Sequence, residues 1–379
     1  MSEARTTGWT KGTLGEILPI KYGKSLPAKL RDSSGRFPVF GSSGRVGVHV
    51  QPLTNGPALI VGRKGTVGAV HFSTEPCWPI DTVYFSEGEQ GQNLRYFKYL
   101  LDSLNLVQLD KSTAIPGLSR DDYNALNVRI APPVEQERIV AEVEKQFSRL
   151  DEAVANLNRV KTNAQHFKRA TIQAQTASNS FSTKIAGTVA DIAVSLDNMR
   201  EPVNKTERAK RVGTIPYLGA NGQTGWIDEA RFDEELVLVV EDETFVGRKL
   251  PFSYYFSGKC WVNNHTHVLR ARSDAVLPKY LNLALSYYPF IPLTTGSTGR
   301  RKLTKAALMS APIVVPDLAT QHRIVAEVDR HLSIVREVES EVDANLKRAQ
   351  VLRQAVLARA FAPPGATCAG QSEHVVATA

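Results

Sequence analysis

The sequence predicts an α+β protein in which two strand-rich domains are separated by two long antiparallel coiled-coil helices, with an internal pseudo-twofold repeat. Two observations lead to this prediction. The segment Arg138–Val143 recurs as Arg323–Val328, 185 residues later in a chain of 379. Apolar runs broken by glycine and proline also alternate twice with long stretches that contain neither residue. A chain of this length exceeds what one hydrophobic core holds, and two copies of one unit account for it.

Further segments match between the two halves at the same or a slightly different spacing. They are Phe40–Gly44 with Leu218–Gly222, Cys77-Trp78 with Cys260-Trp261, Ser112-Thr113 with Ser297-Thr298, and Leu118-Ser119 with Leu303-Thr304. The halves differ mainly between these segments, so we expect the functional differences there. We expect Trp78 and Trp261 to be core aromatics rather than stacking platforms.

The first copy, residues 1–132, has the texture of a strand-rich domain. Short apolar runs such as Leu59–Val61 are punctuated by Gly, Pro and Ser. Apolar residues recur at helical spacing in Asn93–Leu104, which predicts a helix. The second copy, residues 184–316, follows the same order. Its predicted strands are Leu236–Val240 and Trp261–Leu269, and its predicted helix is Lys279–Tyr287.

Each strand-rich domain is followed by a stretch that predicts one long helix, at residues 133–183 and 317–362. Apolar residues at spacings of three and four indicate coiled-coil seams. The first seam is Val143, Phe147, Leu150, Val154 and Leu157, which then drifts to Val160, Ala164 and Phe167. The second is Val328, Leu332, Val335, Val338, Val342, Ala349, Leu352 and Val356. At 1.5 Å per residue, about 40 helical residues span roughly 60 Å.

The order of the segments predicts how the helices pair. The second helix must bury its seam, and its nearest matching partner is the first helix. A connection through the second domain makes this pairing antiparallel, so we expect a dumbbell with one globular domain at each end of a two-helix rod. The final residues 363–379 are small and polar, and we expect them to be disordered.

The composition favours a soluble, cytoplasmic protein without a membrane partner. No apolar stretch reaches the roughly 20 residues that a membrane span needs, and no apolar segment follows a basic N-terminus. Cys77, Cys260 and Cys368 form no close pair, which argues against a disulfide framework and a thiolate zinc site. The net charge of +8 is compatible with binding a polyanion, although many basic proteins share it.

The sequence carries no convincing catalytic signature, and we expect no resident metal or cofactor in this chain. The Gly62–Thr66 segment lacks the glycine spacing and the following helix of a phosphate-binding loop. His265 and His267 lie two residues apart in a strand-like run without a partnering carboxylate, which favours structural or DNA-facing roles over metal binding. The acidic run Glu241–Glu243 is interpreted as a strand end and turn rather than a cation site.

Glycine-flanked polar loops remain as the candidate working surface. Two matched loops offer small side chains and backbone N–H groups that suit a nucleic-acid groove or a phosphate. A tight turn built on a glycine with positive φ explains them equally well. The candidate contacts in these loops are Ser42, Ser43, Arg45, Asn221 and Gln223.

Basic segments provide a second group of candidates. Arg63-Lys64 and Arg248-Lys249 end identical Val-Gly-Arg-Lys tetrads, and an arginine beside glycine can reach guanine edges. Aligning the strands pairs Arg63 with Asp242 instead, so exposed, solvated bases remain an alternative. The densest basic loop, residues 295–302, suits a phosphate track, whereas its first-copy counterpart keeps the hydroxyls and loses most of the charge. The candidates in these two loops are Lys111, Thr113, Thr298, Arg300, Arg301 and Lys302.

The duplicated order of a variable domain and a long helix resembles the DNA specificity (S) subunit of Type I restriction-modification systems. The first helix start reads Pro-Pro-Val-Glu-Gln-Glu-Arg-Ile-Val-Ala-Glu-Val at 132–143. It returns in weaker form at Pro316–Val328, where Asp-Leu-Ala-Thr-Gln-His-Arg replaces the Pro-Glu-Gln form. The turn at Gly62–Thr66 and the run Trp261–His265 are also similar to that family's target recognition domains. The resemblance covers residues 10–362, nearly the whole chain.

The resemblance implies that each strand-rich domain reads one half of a split target in double-stranded DNA, while the paired helices set the unread spacer. It implies no catalysis by this chain. Two modification subunits would methylate adenine with S-adenosylmethionine, and restriction subunits would cleave DNA with ATP and Mg²⁺. The two near-identical helix starts independently offer two similar docking surfaces for copies of one partner, at Arg138, Glu142, Arg323 and Glu327.

Three alternatives remain open: an assembly scaffold whose domains bind proteins, the specificity half of another restriction-modification type, and a fused restriction-modification enzyme. The sequence lacks the Asn/Asp-Pro-Pro-Tyr/Phe segment that holds a flipped adenine, which disfavours the fused enzyme. DNA affinity that falls steeply as salt rises would separate a DNA-binding subunit from a scaffold.

Overall fold

The computed structural model describes residues 8–89, 91–110, 117–177, 184–243, 245–296 and 301–362. The chain forms two compact units. The first unit combines Met1–Leu157 with Asn345–Ala379, and the second unit is Asn158–Ala344. The tail 363–379, for which the sequence predicts disorder, lies outside the described residues.

The first unit contains short strands, short helices and the beginning of a long helix. Its strands are β1 (Thr10–Thr13), β2 (Lys21–Tyr22), β3 (Phe37–Gly41), β4 (Gly44–His49), β5 (Ala58–Gly62), β6 (Val70–Ser73), β7 (Trp78–Pro79), β8 (Val83–Ser86) and β9 (Asn127–Ile130). Its helices are α1 (Leu14–Ile17), α2 (Leu94–Ser103), α3 (Arg120–Asn124) and the N-terminal part of α4 (Pro133–Thr176).

The strands of the first unit form small sheets around a central buried strand. The strand orders are β2-β8-β5-β6, β4-β3-β7 and β1-β9. Strand β5 is buried along its whole length, and the apolar face of α2 packs into the same core as Leu59 and Val61. The helix predicted at Asn93–Leu104 is confirmed as α2. Asn93 is its N-cap, since the Asn93 side chain accepts a hydrogen bond from the Tyr96 N–H.

The second unit repeats this order with longer strands. Its strands are β10 (Lys184–Thr188), β11 (Ala193–Ser195), β12 (Ile215–Gly219), β13 (Gly222–Ile227), β14 (Phe232–Val240), β15 (Asp242–Glu243), β16 (Ser253–Val262), β17 (Thr266–Ala271), β18 (Thr294–Thr295), β19 (Arg301–Leu303) and β20 (Pro312–Pro316). Its helices are α5 (Val189–Ile192), α6 (Lys205–Arg208), α7 (Pro278–Ser286), α8 (Lys305–Met309) and most of α9 (Leu318–Ala360). The strand orders are β11-β17-β14-β16-β12-β13, β15-β19-β18 and β10-β20.

Two of the three elements predicted for the second unit are confirmed. Strand β14 contains the run Leu236–Val240, and helix α7 matches Lys279–Tyr287 within one residue at each end. The single strand predicted at Trp261–Leu269 is wrong, because the chain turns between β16 and β17. Asn263 makes this turn with its own side chain, whose oxygen accepts hydrogen bonds from the His265 N–H at 3.0 Å and the Thr266 hydroxyl at 3.3 Å.

The internal repeat is visible in the pairing of the strands. In each unit a hairpin, β3–β4 or β12–β13, carries a register irregularity at the same point. The first strand of the hairpin also pairs in parallel with the strand that contains the repeated tryptophan. The Trp78 Nε1–H donates to the Lys24 carbonyl at 2.8 Å, and the Trp261 Nε1–H donates to the Glu201 carbonyl at 2.9 Å. Both tryptophans therefore tie a crossing segment to the sheet. Trp261 is buried, as expected of a core aromatic, whereas Trp78 is only half-buried, so the prediction of a core position is wrong for Trp78.

The two long helices confirm the predicted pair, but the buried faces differ from the predicted seams. In α9, the buried positions Val328, Val335, Val342 and Ala349 lie seven residues apart, while Val338 and Leu352 are exposed. In α4, Val160 and Phe167 are exposed, and Lys161 and Lys168 lie half-buried beside them. Among the described residues, neither long helix nor any shorter one has the length and apolar composition needed to cross a membrane.

Within the second unit, α4 and α9 run antiparallel. The Lys161 ammonium lies 2.7 Å from the Asp343 carboxylate, and the Lys168 ammonium lies 2.6 Å from the Glu339 carboxylate. The later lysine of α4 thus pairs with the earlier carboxylate of α9, as the antiparallel direction requires. These ion pairs explain the inward face of α4, because the lysine stems cover apolar surface while their ammonium groups reach the partner helix.

Within the first unit, the start of α4 packs against the end of α9. The Arg353 guanidinium donates to the Asp151 carboxylate at 2.7 Å and lies 3.9 Å from the centre of the Phe147 ring. Leu357 is 2% exposed and belongs to the same core cluster as Phe147. The C-terminal end of α9 therefore completes a core whose other buried residues, from Leu14 to Phe147, lie far earlier in the chain.

A buried glutamine fixes the start of each long helix. The Gln136 Nε2 donates to the Ala131 carbonyl at 2.8 Å. The equivalent Gln321 is fully buried and makes three hydrogen bonds. Its oxygen accepts from the Leu277 N–H at 2.8 Å, and its Nε2 donates to the Ala275 and Pro316 carbonyls at 3.1 and 2.8 Å. Gln321 therefore joins α9 both to the strand before it and to the loop that precedes α7.

We expect Gln321→Ala to destabilise the protein by about 3 kcal/mol and Gln136→Ala by about 1 kcal/mol, because the first variant removes three buried hydrogen bonds and the second removes one. Urea unfolding followed by circular dichroism measures both free energies of unfolding. Gln350→Ala, at an exposed glutamine of α9, is the control and should leave the free energy unchanged. Equal losses for Gln321→Ala and Gln136→Ala would contradict the assignment.

Candidate nucleic-acid interface

In the first unit, the tip of the β3–β4 hairpin adjoins the loop after β5. Gly44 turns the hairpin with φ of +106°. The Ser42 hydroxyl accepts a hydrogen bond from the Thr66 N–H at 3.4 Å, and the Ser42 carbonyl lies 3.0 Å from Nε2 of His71. The loops around Ser42 and Thr66 were predicted as separate candidate contacts, and they therefore form one surface. Of the predicted contacts there, Ser43, Arg45 and Lys64 are exposed, and Ser42 and Arg63 are half-buried.

Next to this surface lies a cleft of about 580 Å³ lined by aromatic and basic side chains. The Arg63 guanidinium lies 5.0 Å from the ring centre of Tyr22 and 5.9 Å from that of Tyr84, and its Nη1 donates to the Asp81 carbonyl at 3.2 Å. The Arg120 guanidinium lies 5.8 Å from the centre of the Tyr22 ring. Both arginines are therefore held near one aromatic face, an arrangement that orients guanidinium groups.

The two tyrosines of the cleft differ in their surroundings. The rings of Tyr22 and Tyr84 meet edge to face at 5.0 Å, but Tyr22 is half exposed whereas Tyr84 is buried. Burial raises the pKa of the Tyr84 hydroxyl, and the neighbouring Tyr22 hydroxyl raises it further. The Tyr84 hydroxyl consequently stays protonated and donates to the Leu118 carbonyl at 3.0 Å, which fixes the back wall of the cleft.

In the second unit, the hairpin tip is joined to a different loop. Gly222 turns the β12–β13 hairpin with φ of +105°. The Arg248 Nη2 donates to the Asn221 side-chain oxygen at 2.7 Å, and the Arg248 guanidinium also donates to the Pro251 carbonyl at 3.1 and 3.2 Å. Asn221 and Arg248, predicted from separate loops, are therefore brought together. Gln223 and Lys249 are exposed on the same two loops.

The main-chain pairing corrects the alignment of the two halves. The Arg63 N–H donates to the Thr82 carbonyl and the Arg63 carbonyl accepts from the Leu118 N–H. Glu241 makes the same two bonds, to the His265 carbonyl and from the Leu303 N–H. Arg63 therefore corresponds to Glu241, and its predicted pairing with Asp242 is wrong by one residue. The Val-Gly-Arg-Lys tetrads are not equivalent, because the second one lies in the longer loop between β15 and β16.

A buried ionic cluster occupies this position in the second unit. His267 is 1% exposed; its Nδ1 lies 2.6 Å from the Asp197 carboxylate and its Nε2 lies 2.8 Å from the Leu303 carbonyl. Both ring nitrogens therefore face hydrogen-bond acceptors. The Arg200 Nη1 donates to the Glu241 carboxylate at 2.6 Å, and Glu241 lies 3.9 Å from His267. Glu241 follows the end of β14, as predicted, and is also part of an internal ion network.

The carboxylate of Asp197 is the centre of this network. Burial alone would raise the pKa of Asp197, but the hydrogen bond and charge of His267, the Val268 N–H and the Arg200 charge together hold the pKa below its usual value. The Asp197 carboxylate is therefore ionised at neutral pH. Removing one member of such a buried network leaves the others without compensation.

The predicted basic loop at 295–302 is described only in part. The Arg301 guanidinium is half-buried and donates to the Thr294 hydroxyl at 2.7 Å and the Thr294 carbonyl at 3.0 Å. The Lys302 ammonium is exposed and lies 3.3 Å from the Glu241 carboxylate. Both cations thus have partners within the unit. Four predicted contacts lie outside the described residues: Lys111, Thr113, Thr298 and Arg300.

Sequence reasoning missed two residues of the first-unit cleft. Tyr22 stands in a two-residue strand that no apolar pattern marks, so the sequence offers no signal for it. Arg120 directly follows Leu118-Ser119, which matches Leu303-Thr304 in the repeat, and Lys305 provides a cation at the same place in the second copy. A basic residue kept after a matched segment was the available signal for Arg120.

Each of the two histidines considered as a metal pair has a carboxylate neighbour, which corrects the expectation that no carboxylate partners them. His267 belongs to the ionic cluster, and Nδ1 of His265 lies 3.5 Å from the Asp242 carboxylate. Within the described ranges, no three or more His, Cys, Asp or Glu side chains are grouped so that they could hold a metal ion.

The predicted partner-binding residues lie near the starts of the two long helices. Arg138 and Glu142 line a groove of about 650 Å³ between α4 and the C-terminal end of α9 in the first unit. The Arg138 guanidinium donates to the Glu135 carboxylate at 2.7 and 2.6 Å, and the Glu142 carboxylate accepts from Gln146 at 2.7 Å. In the second unit, Arg323 is exposed and Glu327 is half-buried at the equivalent positions of α9.

Comparison with known proteins shows the family. The model of the Type I restriction modification DNA specificity domain matches residues 6–162 and 187–348, one match in each copy of the repeat. The chain belongs to this family. Its two matched domains each contain one hairpin and the loops that adjoin it.

Relatives within the family share part of the sequence. A protein of Haemophilus influenzae named as a type I restriction enzyme specificity subunit is 33% identical over 164 residues, 43% of this chain and 41% of the relative. The EcoprrI specificity subunit of Escherichia coli is 25% identical over 155 residues, 40% of this chain and 38% of the relative. The matched segments thus span about two fifths of each of these relatives.

A solved structure shares the fold over most of the chain. That structure belongs to work on the complex assembly and conformational transition of the type I R-M system. The superposition has a TM-score of 0.65 at 17% identity, and it covers 94% of this chain and 98% of that chain. At 17% identity, this likeness shows a shared fold and nothing further.

We expect Asp197→Asn to lower the free energy of unfolding at pH 7 by about 3 kcal/mol, because it breaks a buried ion network. The folded-state pKa of Asp197 lies below its ordinary value of 3.8, so its contribution is present above that pH and is lost as the pH falls through the folded pKa. Urea unfolding at a series of pH values should show the difference between wild type and variant shrinking below this point.

Asp274→Asn is the matched control, because Asp274 is an exposed carboxylate of the same unit. It should leave the stability unchanged at every pH. A difference between wild type and Asp197→Asn that grows as the pH falls would reverse the sign and remove the assigned ion network.

Proposed function

We propose that the chain is the DNA sequence-specificity subunit of a Type I restriction-modification complex and has no catalysis of its own. Residues 1–132 and 184–316 act as target recognition domains, and each reads one half of a bipartite target in double-stranded DNA. The observation that carries the proposal is a surface that occurs in both units and consists of a hairpin tip and an adjoining loop. The strand pairing of the hairpin is the same in the two units, but the side chains of the surface differ.

Different side chains on one scaffold provide a way to read different sequences. Arg45 and Gln223 occupy the same register position of their hairpins. Arginine presents donors that match the acceptors of guanine, whereas glutamine presents one donor and one acceptor that match adenine. The second unit adds the Arg248 side chain, which is held by Asn221. The two halves of the target therefore differ in sequence.

The long helices α4 (Pro133–Thr176) and α9 (Leu318–Ala360), predicted at residues 133–183 and 317–362, set the unread spacer and dock the modification subunits. The surfaces around Arg138 and Glu142 and around Arg323 and Glu327 share the segment Arg-Ile-Val-Ala-Glu-Val. Two copies of one surface suit two copies of one partner. The modification subunits supply adenine methylation with S-adenosylmethionine, and two restriction subunits add ATP- and Mg²⁺-dependent cleavage. The complex works on DNA in the cytoplasm.

We expect the full chain, together with its modification subunits, to select one bipartite sequence from a pool of random duplexes. Two separate recognition surfaces with different chemistry leave the bases between the half-sites unread. Sequencing the bound fraction measures the selection. Enrichment of one contiguous block, or of no sequence, would count against the proposal, and affinity that does not fall as salt rises would favour a protein scaffold instead.

Matched variants test whether each unit reads its own half. Arg45→Ala should relax the preference in one half-site and Gln223→Ala in the other, because a base contact contributes about 1–3 kcal/mol of discrimination. The selection is repeated with each variant under the same conditions. Changes confined to the same half-site for both variants would be inconsistent with one reader in each unit.

A further inference from the structure

One position in the fold carries opposite chemistry in the two units. The pairing that equates Arg63 with Glu241 also equates Tyr84 with His267, since each lies beside the end of the central strand, β5 or β14. Tyr22 pairs with Tyr84 across β2 and β8, and Asp197 takes the corresponding place beside His267. Two tyrosines and a basic loop in the first unit thus correspond to an ionic cluster in the second.

In the second unit the charges of this position are satisfied internally. Arg200, Glu241, His267 and Asp197 are paired with one another and are mostly withdrawn from solvent. The exposed Lys302 ammonium is directed to the Glu241 carboxylate. An incoming anion would meet two carboxylates whose cations are already engaged, so this position does not favour a phosphate.

In the first unit the cations of this position remain available. Arg63, Lys64 and Arg120 line the cleft, and within the described part of the chain none of them forms an ion pair with a carboxylate. Tyr22 is 51% exposed, although its ring lies close to both guanidinium groups. Among the described residues that line the cleft, Asp121 contributes the one carboxylate. The cleft therefore has a surplus of positive charge and is open to solvent.

We propose that this cleft binds a phosphodiester of the DNA backbone, with Arg63, Lys64 and Arg120 as its cations and Tyr22 as the residue that positions the two guanidinium groups. The proposal rests on the proposed function and names the chemical class that this part of the surface contacts. Two guanidinium groups near one ring, with Lys64 lining the same cleft, suit a single anionic group with several acceptor oxygens. The described side chains that line the cleft include no Asn or Gln, the side chains that pair with adenine edges.

A phosphate contact at this place has a consequence for the two halves of the target. Phosphate contacts fix the orientation of a protein on the duplex and do not depend on sequence. The first unit gains such an anchor beside its hairpin, whereas the second unit keeps the same place closed by its own ions. The two units therefore grip the backbone differently, even though their hairpins have the same strand pairing.

The test measures how the affinity of the full chain for DNA depends on salt. The double variant Arg63→Ala/Arg120→Ala is compared with wild type on a fluorescent duplex of mixed sequence over a series of NaCl concentrations. One neutralised phosphate contributes about one to the slope of log affinity against log salt, so the double variant, which weakens the contact to a single phosphodiester, should lower the slope by about one. Its affinity should fall by the same factor on the selected target and on an unrelated duplex.

The matched control is Lys11→Ala/Arg129→Ala, which removes the same charge from two exposed residues that face each other across β1 and β9. It should leave the slope unchanged. Thermal unfolding of all variants checks that they fold. Tyr22→Phe should behave as wild type, and Tyr22→Leu should weaken binding and lower the slope by less than the double variant does, because the cations remain while their support is lost.

Three outcomes would overturn the proposal. The cleft variant could keep the wild-type slope, it could match the control, or it could lose affinity only for the selected target with one base position relaxed, which would indicate base reading instead. Failure of the proposed function looks different. In that case the wild-type chain selects no bipartite sequence, while binding to a mixed duplex still depends on Arg63 and Arg120.

Discussion

Each unit of the protein is completed by a helical segment from a distant part of the chain. The antiparallel return of α9 along α4 imposes this constraint. Leu357 joins the core of the first unit, whereas Ile324 and Val328, near the start of the same helix, join the core of the second unit together with Ile172 of α4. The boundaries of the sequence repeat therefore differ from those of the compact units. A copy of the repeat supplies a strand-rich domain and one helix, and a unit needs parts of both helices.

The shared scaffold is what allows the two units to differ in chemistry. The strand pairings, the bonded tryptophans and the buried glutamines at the helix starts recur in both units and hold the backbone in one form. On that backbone, one position carries Arg63 near two tyrosines and the other carries Glu241 in a buried ion network. A duplicated fold can thus present dissimilar surfaces, because the residues that fix the backbone are not those that face the ligand.

Much of the fold was predictable because it depends on patterns that are local in sequence. The repeat, the glycine turns and the long stretches without glycine or proline predicted the two strand-rich domains and the helix pair. The predicted drift of the α4 seam to Val160 and Phe167 is wrong, because Lys161 and Lys168 reach Asp343 and Glu339, and no apolar pattern records such ion pairs. Asn263 broke a predicted strand through a side-chain hydrogen bond, which depends on one residue rather than on a period.

The candidate site was predictable only in part. Polar and basic residues in loops marked the hairpin tips and Arg63, but contacts between separate loops, such as Asn221 with Arg248, depend on tertiary structure. The identical tetrads around Arg63 and Arg248 suggested an equivalence that the main-chain hydrogen bonds do not support. Tyr22 and Arg120 emerged from the packing around Arg63, which no spacing in the sequence encodes.

The most direct test of this account is hydrogen exchange of the full chain carrying Leu357→Ala, measured by mass spectrometry. Removing this buried leucine costs about 2–5 kcal/mol. If the end of α9 completes the first unit, exchange will accelerate in α2 and in the N-terminal part of α4, while β14 and β16 of the second unit keep their protection. Unchanged exchange in α2, or an equal loss of protection in both units, would contradict the account.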